Sequence, residues 1–263
     1  MPKTLCLLVA FLFLLASEAT SAVVDFDSAS DLDQFVGQNQ FQFTPITHSE
    51  NGGVGGSGGL LVSGRHRAGF IGETVNLSQP NTSVVISTFF KIQDPGDVPS
   101  NSFFTLGDAV LSRSFAWWNN DRLSASLSSS STELSLSFTQ STGNTGTGVG
   151  QRFSRDLVNF GNWYELRAQF DSLPGSRIGW SLDFNDYGAD GTTFQGNAIS
   201  FQANTNDNNG VFADTTLFAG FSGVDQSMTF IDNFSITTIP EPSSLFALLI
   251  GTMSIGFRRR RLH

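Results

Sequence analysis

The stretch WYELRAQFDSLPGSRIGWSLDF, Trp163 to Phe184, decides the fold. In its first half Tyr164, Leu166, Ala168 and Phe170 alternate with Glu165, Arg167 and Gln169. In its second half Ile178, Trp180, Leu182 and Phe184 alternate with Gly179, Ser181 and Asp183. Successive side chains of a strand point to opposite faces, so a period of two marks a strand with one buried face. Leu173-Pro174-Gly175 lies between the halves. Proline presets φ there and glycine supplies a positive φ, which is turn chemistry.

The same grammar runs outward from this pair. Leu123 to Leu127 and Leu134 to Phe138 alternate apolar and polar. Met228 to Thr237 places Phe230, Phe234 and Ile236 on one side. Val84 to Ile92 is apolar on both faces, which predicts a central strand covered on each side. Turn signals at Asp94-Pro95-Gly96-Asp97, Gly143-Asn144-Thr145-Gly146, Asp190-Gly191 and Asn208-Asn209-Gly210 punctuate these runs. Asp156 to Phe160 fits one short turn, and no amphipathic helix of ten residues is evident in the body. Twenty-six phenylalanines, against four tryptophans and two tyrosines, read as filling between two sheets. The expected fold is all-β, a two-sheet sandwich. The Gly-rich stretch Asn51 to Gly59 reads as a flexible loop. It lacks the following helix and the Lys or Thr that a phosphate cradle needs.

The two ends differ from this body. Lys3, the uncharged apolar run Leu5 to Ala16, and small Thr20 and Ala22 at positions −3 and −1 predict a signal peptide over residues 1–22. At the other end Pro240-Glu241-Pro242 precedes an apolar run, Leu245 to Phe257, and then Arg258, Arg259, Arg260 and Arg261. Two prolines fix φ and remove donors, so no helix or central strand is expected through Ile239 to Pro242. The apolar run predicts a single membrane helix at about 243–257, with the arginines held on the cytoplasmic side. Its length, about 20 Å, is short for a hydrocarbon layer of about 30 Å; arginine side chains reaching to the interface shorten the mismatch. The expected organisation is a signal peptide at 1–22, a β-sandwich at 23–237 and a sorting and anchor segment at 238–263.

The body carries nine Arg and Lys against 21 Asp and Glu, a formal charge of −12. That disfavours nucleic acid and anionic lipid surfaces. Cys6, the only cysteine, lies in the leader, so the body holds neither disulfides nor thiolate metal sites. His48 and His66 are the only histidines available to a triad or a multi-histidine metal site. Two-carboxylate glycoside hydrolysis on a strand expects E-x-D-x-x-E spacing. It is absent, and Glu165 is followed by Arg167 where that spacing wants Asp.

Two clusters stand out as contact sites. Trp117, Trp118, Asn119, Asn120 and Asp121 join aromatic faces to planar polar groups, the combination that recognises a sugar ring and its hydroxyls. Asp183, Asn185, Asp186 and Asp190 put oxygen donors on a bending segment, a composition compatible with Ca²⁺. Tyr187 at a ligand position and the missing final Glu break the calcium-hand pattern. The other reading of that segment is a strand end running into an Asp-Gly turn. Both readings stay open.

The tail, Pro240-Glu241-Pro242 with its apolar run and arginines, resembles the PEP-CTERM sorting signal. That signal is also found on some ice-binding proteins and is catalogued as an ice-binding protein C-terminal domain. Ile239 stands where that family usually has Val. The resemblance implies an exosortase-type membrane protease as partner, with delivery to the cell surface or an extracellular polysaccharide matrix. The body resembles the concanavalin A-like jelly rolls of lectins and glucanases, through Asp25-Phe26-Asp27, Trp163-Tyr164-Glu165-Leu166, Gly179-Trp180-Ser181-Leu182-Asp183 and Phe230-Ile231-Asp232-Asn233-Phe234-Ser235-Ile236. The expectation is an exported, non-catalytic sandwich in contact with glycans. The alternatives are a secreted glycan-active enzyme on the same fold and a purely structural or adhesive matrix protein.

Overall fold

The computed structural model describes residues 19–36, 46–78, 80–91, 100–107, 121–130, 132–142, 145–207, 210–211 and 216–240. The strands are β1 (Thr20–Val24), β2 (Phe35–Val36), β3 (Thr47–Ser49), β4 (Gly59–Val75), β5 (Thr82–Lys91), β6 (Ser100–Gly107), β7 (Asp121–Ser129), β8 (Glu133–Thr142), β9 (Thr145–Ser154), β10 (Trp163–Leu173), β11 (Arg177–Asp186), β12 (Gly196–Asn206) and β13 (Leu217–Pro240). Short 3₁₀ turns at Ala29–Gln34, Val54–Gly56 and Arg155–Leu157 are the helical elements among the described residues. None of these is long and apolar enough to cross a membrane. The leader up to residue 18, the tail from Glu241 and Pro242 to Arg258–Arg261, and Trp117 to Asn120 lie outside the described residues.

All strand pairs are antiparallel, and the hydrogen-bonded order is β12-β11-β10-β5-β13-β6-β7-β8-β9. β13 belongs to two sheets. Its first part, Phe218 to Val224, pairs with β6, and its last part, Phe230 to Pro240, pairs with β5. A register shift between Asp225 and Thr229, against β4, separates the two parts. The sheets pack face to face: Phe138 of β8 stacks on Trp180 of β11 at 4.7 Å and meets Phe170 of β10 at 5.9 Å. The expected two-sheet sandwich is the observed one. The opening pair is β10 and β11, with Tyr164, Leu166, Ala168, Phe170, Ile178, Trp180, Leu182 and Phe184 all buried.

Several sequence expectations shift by a residue or a face. Asp25-Phe26-Asp27 is the bend after β1, with Phe26 buried at φ 55°. Asn233 has φ 51°, and the register with β5 slips between Asp232 and Ser235. This bulge turns Ile231 inward beside Phe234 and leaves Phe230 half-buried. β5 is central, between β10 and β13, but its outer residues Val85 and Phe89 are only half-buried. The limits expected at Val23 and Thr237 fall inside paired strands, since Thr20↔Thr238, Ser21↔Thr237 and Ala22↔Ile236 are partners. Against the expectation of no central strand through Ile239 to Pro242, β13 continues through Ile239, paired with Ser83, and ends at Pro240, paired with Thr82.

Candidate functional site

The outward residues of β5, β10, β11 and β12 form one face. Because the strands are antiparallel and in register, Glu165 lies opposite Asn185, Arg167 opposite Asp183, Gln169 opposite Ser181 and Asp171 opposite Gly179. β12 adds Ser200 beside Asp183, Gln202 beside Ser181 and Asn204 beside Gly179. Polar side chains, most of them planar amides, carboxylates and a guanidinium, therefore gather from segments far apart in sequence.

Most of them are tied into a ribbon of hydrogen bonds. Ser83 Oγ donates to Asp171 Oδ1 at 2.6 Å, and Gln169 Nε2 donates to the same oxygen at 3.0 Å. Arg167 lies 3.6 Å from Asp183 Oδ2. Ser200 Oγ donates to Asp183 Oδ1 at 2.6 Å. Asn197 Nδ2 donates to Asn185 Oδ1, and Asn185 Nδ2 to Glu165 Oε2 at 3.1 Å. Tyr187 OH reaches the same Glu165 oxygen at 3.5 Å. Burial and then the Glu165 carboxylate hold the Tyr187 phenol above its usual pKa, so it remains a donor.

The two ends of this ribbon differ. At the upper end Tyr187 lies edge-on to Phe89 at 4.8 Å and to Phe194 at 5.6 Å. Phe194 is 57% exposed. At the lower end a depression of about 450 Å³ is lined by Gln169, Asp171, Gly179, Ser181, Gln202 and Asn204, among others. Gly179 keeps its floor open, because a Cβ there would lie 3.2 Å from Asn204 Oδ1 and 3.3 Å from Asp171 Cβ. The amides of Gln202 and Asn204 are exposed and have no protein partner among the described residues. They flank the depression as free donors and acceptors.

The Ca²⁺ reading of the β11 end does not assemble. Asp183 and Asn185 face outward and are engaged as described. Asp186 faces the other way, accepting from Tyr164 OH at 3.1 Å, Asn162 Nδ2 at 3.0 Å and the Gly188 N–H at 2.7 Å. Burial first, and Asp186 after it, pushes the Tyr164 phenol up to about 12. Asp190 caps its own turn through the Thr192 N–H. The alternation of a strand separates residues 183 and 186 by a face, which is why four nearby oxygens do not converge. Among the described residues no three His, Cys, Asp or Glu surround a common point. His48 Nε2 meets Phe26 O at 3.0 Å. Asp121 opens β7 opposite Gly107, the only part of the Trp117–Asp121 cluster that is described.

Glu165, Tyr187, Phe194, Gln202 and Asn204 were not singled out by sequence reasoning as a contact face. One signal was available in Ser200 to Asn206, where Gln202 and Asn204 alternate with Phe201 and Ala203. Phe194, in a Thr- and Gly-containing loop, had no periodic context to mark it.

No protein-family model matches the chain, and no curated protein matches it in sequence. Solved structures do share its architecture. The globular domain of T. cruzi calreticulin aligns with TM-score 0.56 and 11% identity, over 90% of this chain and 95% of that one. The endo-1,3-β-glucanase of Streptomyces sioyaensis aligns with TM-score 0.53 and 8% identity, over 86% and 98%. The fold class is thus the all-β, two-sheet jelly-roll sandwich. At these identities the likeness concerns the fold alone.

Proposed function

We propose that the chain is an exported, non-catalytic carbohydrate-binding protein, and that the outer face of β5, β10, β11 and β12 is its glycan surface. The observation that carries this is Phe194, exposed to water yet backed by Tyr187, whose hydroxyl shares Glu165 Oε2 with the Asn185 amide. An exposed ring next to oriented planar groups suits the apolar face and the hydroxyls of a sugar. The carboxylates of this face accept hydrogen bonds from fixed neighbours, which supports anchoring over bond cleavage. The test is a glycan array probed with the detergent-solubilised full chain. Phe194→Ala is expected to weaken binding about three- to tenfold. No binding by the parent chain, or unchanged binding by the variant, overturns the assignment. Appearance of new reducing ends would assign the face to the secreted enzyme instead.

The proposal includes export by the leader and sorting by the PEP-CTERM-like tail, with the arginine cluster held at the membrane and an exosortase-type protease as partner. The fold supports a revised leader boundary. Cleavage before Val23 would delete Thr20, Ser21 and Ala22, three of the five paired residues of β1, and with them the Ser21–Thr237 hydroxyl contact at 3.1 Å. Ser17 and Ala19 supply small residues at −3 and −1 for a cut three residues earlier. The mature protein is therefore expected to begin at Thr20. Mass spectrometry of material from the host reads both ends at once. A start at Val23 refutes the boundary. A terminus near Pro242 supports processing, and one at His263 argues for a permanent anchor.

A further inference from the structure

We infer that this face takes an extended, uncharged polysaccharide lying along β10, and that it discriminates against polymers bearing carboxylates or sulfates. The inference rests on the glycan reading above and adds the class of ligand. It starts from spacing. The aromatic end is level with Glu165, and the depression is level with Asp171 and Gly179. Six strand residues separate them, about 20 Å at about 3.3 Å per residue. A monosaccharide touches one end only. A chain of several sugars reaches from the Phe194 ring to the free amides of Gln202 and Asn204.

Charge decides the class. Glu165, Asp171 and Asp183 line the route. Arg167 is already engaged by Asp183 at 3.6 Å and by Gln169 Oε1 at 3.4 Å. Lys91, at the aromatic end, lies over the Trp163 ring and reaches Ala189 O. Arg177 lies two positions beyond Gly179, at the hairpin end of the depression. An anionic polymer laid along the route meets the Glu165 and Asp171 carboxylates, which no cation among the described residues pairs, before it meets that terminal guanidinium. Sugar hydroxyls, by contrast, donate to carboxylates in charge-assisted hydrogen bonds, and the amides both give and accept. Among the described residues β12 is the edge strand of its sheet, and no further described strand walls off the long side of the route.

The experiment uses the detergent-solubilised full chain and glucose oligomers from monomer to octamer in α-1,4, β-1,3 and β-1,4 linkage. Polygalacturonate and dextran sulfate are the charged comparators, each at low and physiological salt. Affinity for at least one linkage is expected to rise about tenfold or more between dimer and hexamer and then level. The charged polymers are expected to bind about tenfold more weakly at low salt, with the gap narrowing as salt screens the carboxylates. Gln202→Ala with Asn204→Ala, both at exposed positions, is expected to flatten the length dependence while leaving dimer binding at the aromatic end. Equal affinity for monomer and hexamer, or preference for a charged polymer, overturns the ligand class and leaves the glycan reading intact. Failure of every glycan to bind removes both.

Discussion

Asp232→Ala is expected to destabilise the fold by about 2–4 kcal/mol at mildly acid pH, with the cost shrinking as pH rises. Asp232 is fully buried on β13, under the Gly-rich loop at Gly52–Gly58. Its Oδ2 accepts the Val54 N–H at 2.7 Å and the Ser57 hydroxyl at 3.4 Å, and its Oδ1 accepts the Asn233 N–H at 2.8 Å. Alanine leaves the Val54 and Asn233 N–H groups without this acceptor, while the Ser57 hydroxyl keeps Val54 O at 2.8 Å; an unmet buried donor costs about 1–3 kcal/mol. The loop closes tightly here: a Cβ on Gly53 would lie 1.8 Å from Gly58 O and 2.7 Å from Asp232 Oδ2.

The pH dependence follows from burial. Desolvation, assisted by Asp27, lifts the Asp232 carboxyl from 3.8 to about 6 against the pull of its hydrogen bonds. A carboxyl with a raised native pKa binds its proton more tightly in the folded state. Its favourable share of stability is present below about 4 and is lost as pH climbs from about 4 to about 6. About two pKa units correspond to roughly 3 kcal/mol. Asp190, held low by the Thr192 N–H, acts in the opposite sense but below pH 3.8. The parent chain should therefore lose stability between pH 4 and 6, while Asp232→Ala stays flat across that window. Urea unfolding at several pH values reads this. A variant that keeps the parent's slope would show that Asp232 is not its source.

This loop also marks where the sequence stopped being legible. The sandwich was readable because period two is local: each of Tyr164, Leu166, Ala168 and Phe170 declares its face from its neighbours alone. Asn51 to Gly59 read as a flexible loop because nothing nearby announces Asp232, which is 178 residues from Val54. Its glycines serve close approach, and that is set by the opposing strand. The contact face failed to appear for a related reason. Gln202, Asn204 and Asp171 meet around Gly179 only through the β10–β11–β12 register. The Ca²⁺ reading counted oxygens along the chain, where strand alternation sends Asp183 and Asp186 to opposite faces. The phase of the last strand depended on Asn233, whose left-handed backbone an Asn tolerates well.

The same bulge sets the second large effect. Phe234→Ala is expected to cost about 3–5 kcal/mol. The bulge aims Phe234 inward, where its ring lies 5.3 Å from Phe35, 5.5 Å from Phe70 and 6.0 Å from Phe221. Phe221 belongs to the part of β13 that pairs with β6, and Phe234 to the part that pairs with β5. The cluster therefore sits where one strand passes from sheet to sheet, and truncating it removes packing that both sheets share. A cavity among rings on two sheets collapses poorly, because closing it moves each sheet against its own hydrogen-bond ladder. Phe234→Leu keeps most of the volume and should cost less than half as much. Phe194→Ala is the informative contrast. Its ring is largely in water, so its unfolding free energy should stay within about 0.5 kcal/mol of the parent while glycan affinity falls. Urea denaturation of the three variants tests the distinction: a Phe194→Ala midpoint as low as that of Phe234→Ala would make Phe194 a packing residue and remove the ring on which sugar contact depends.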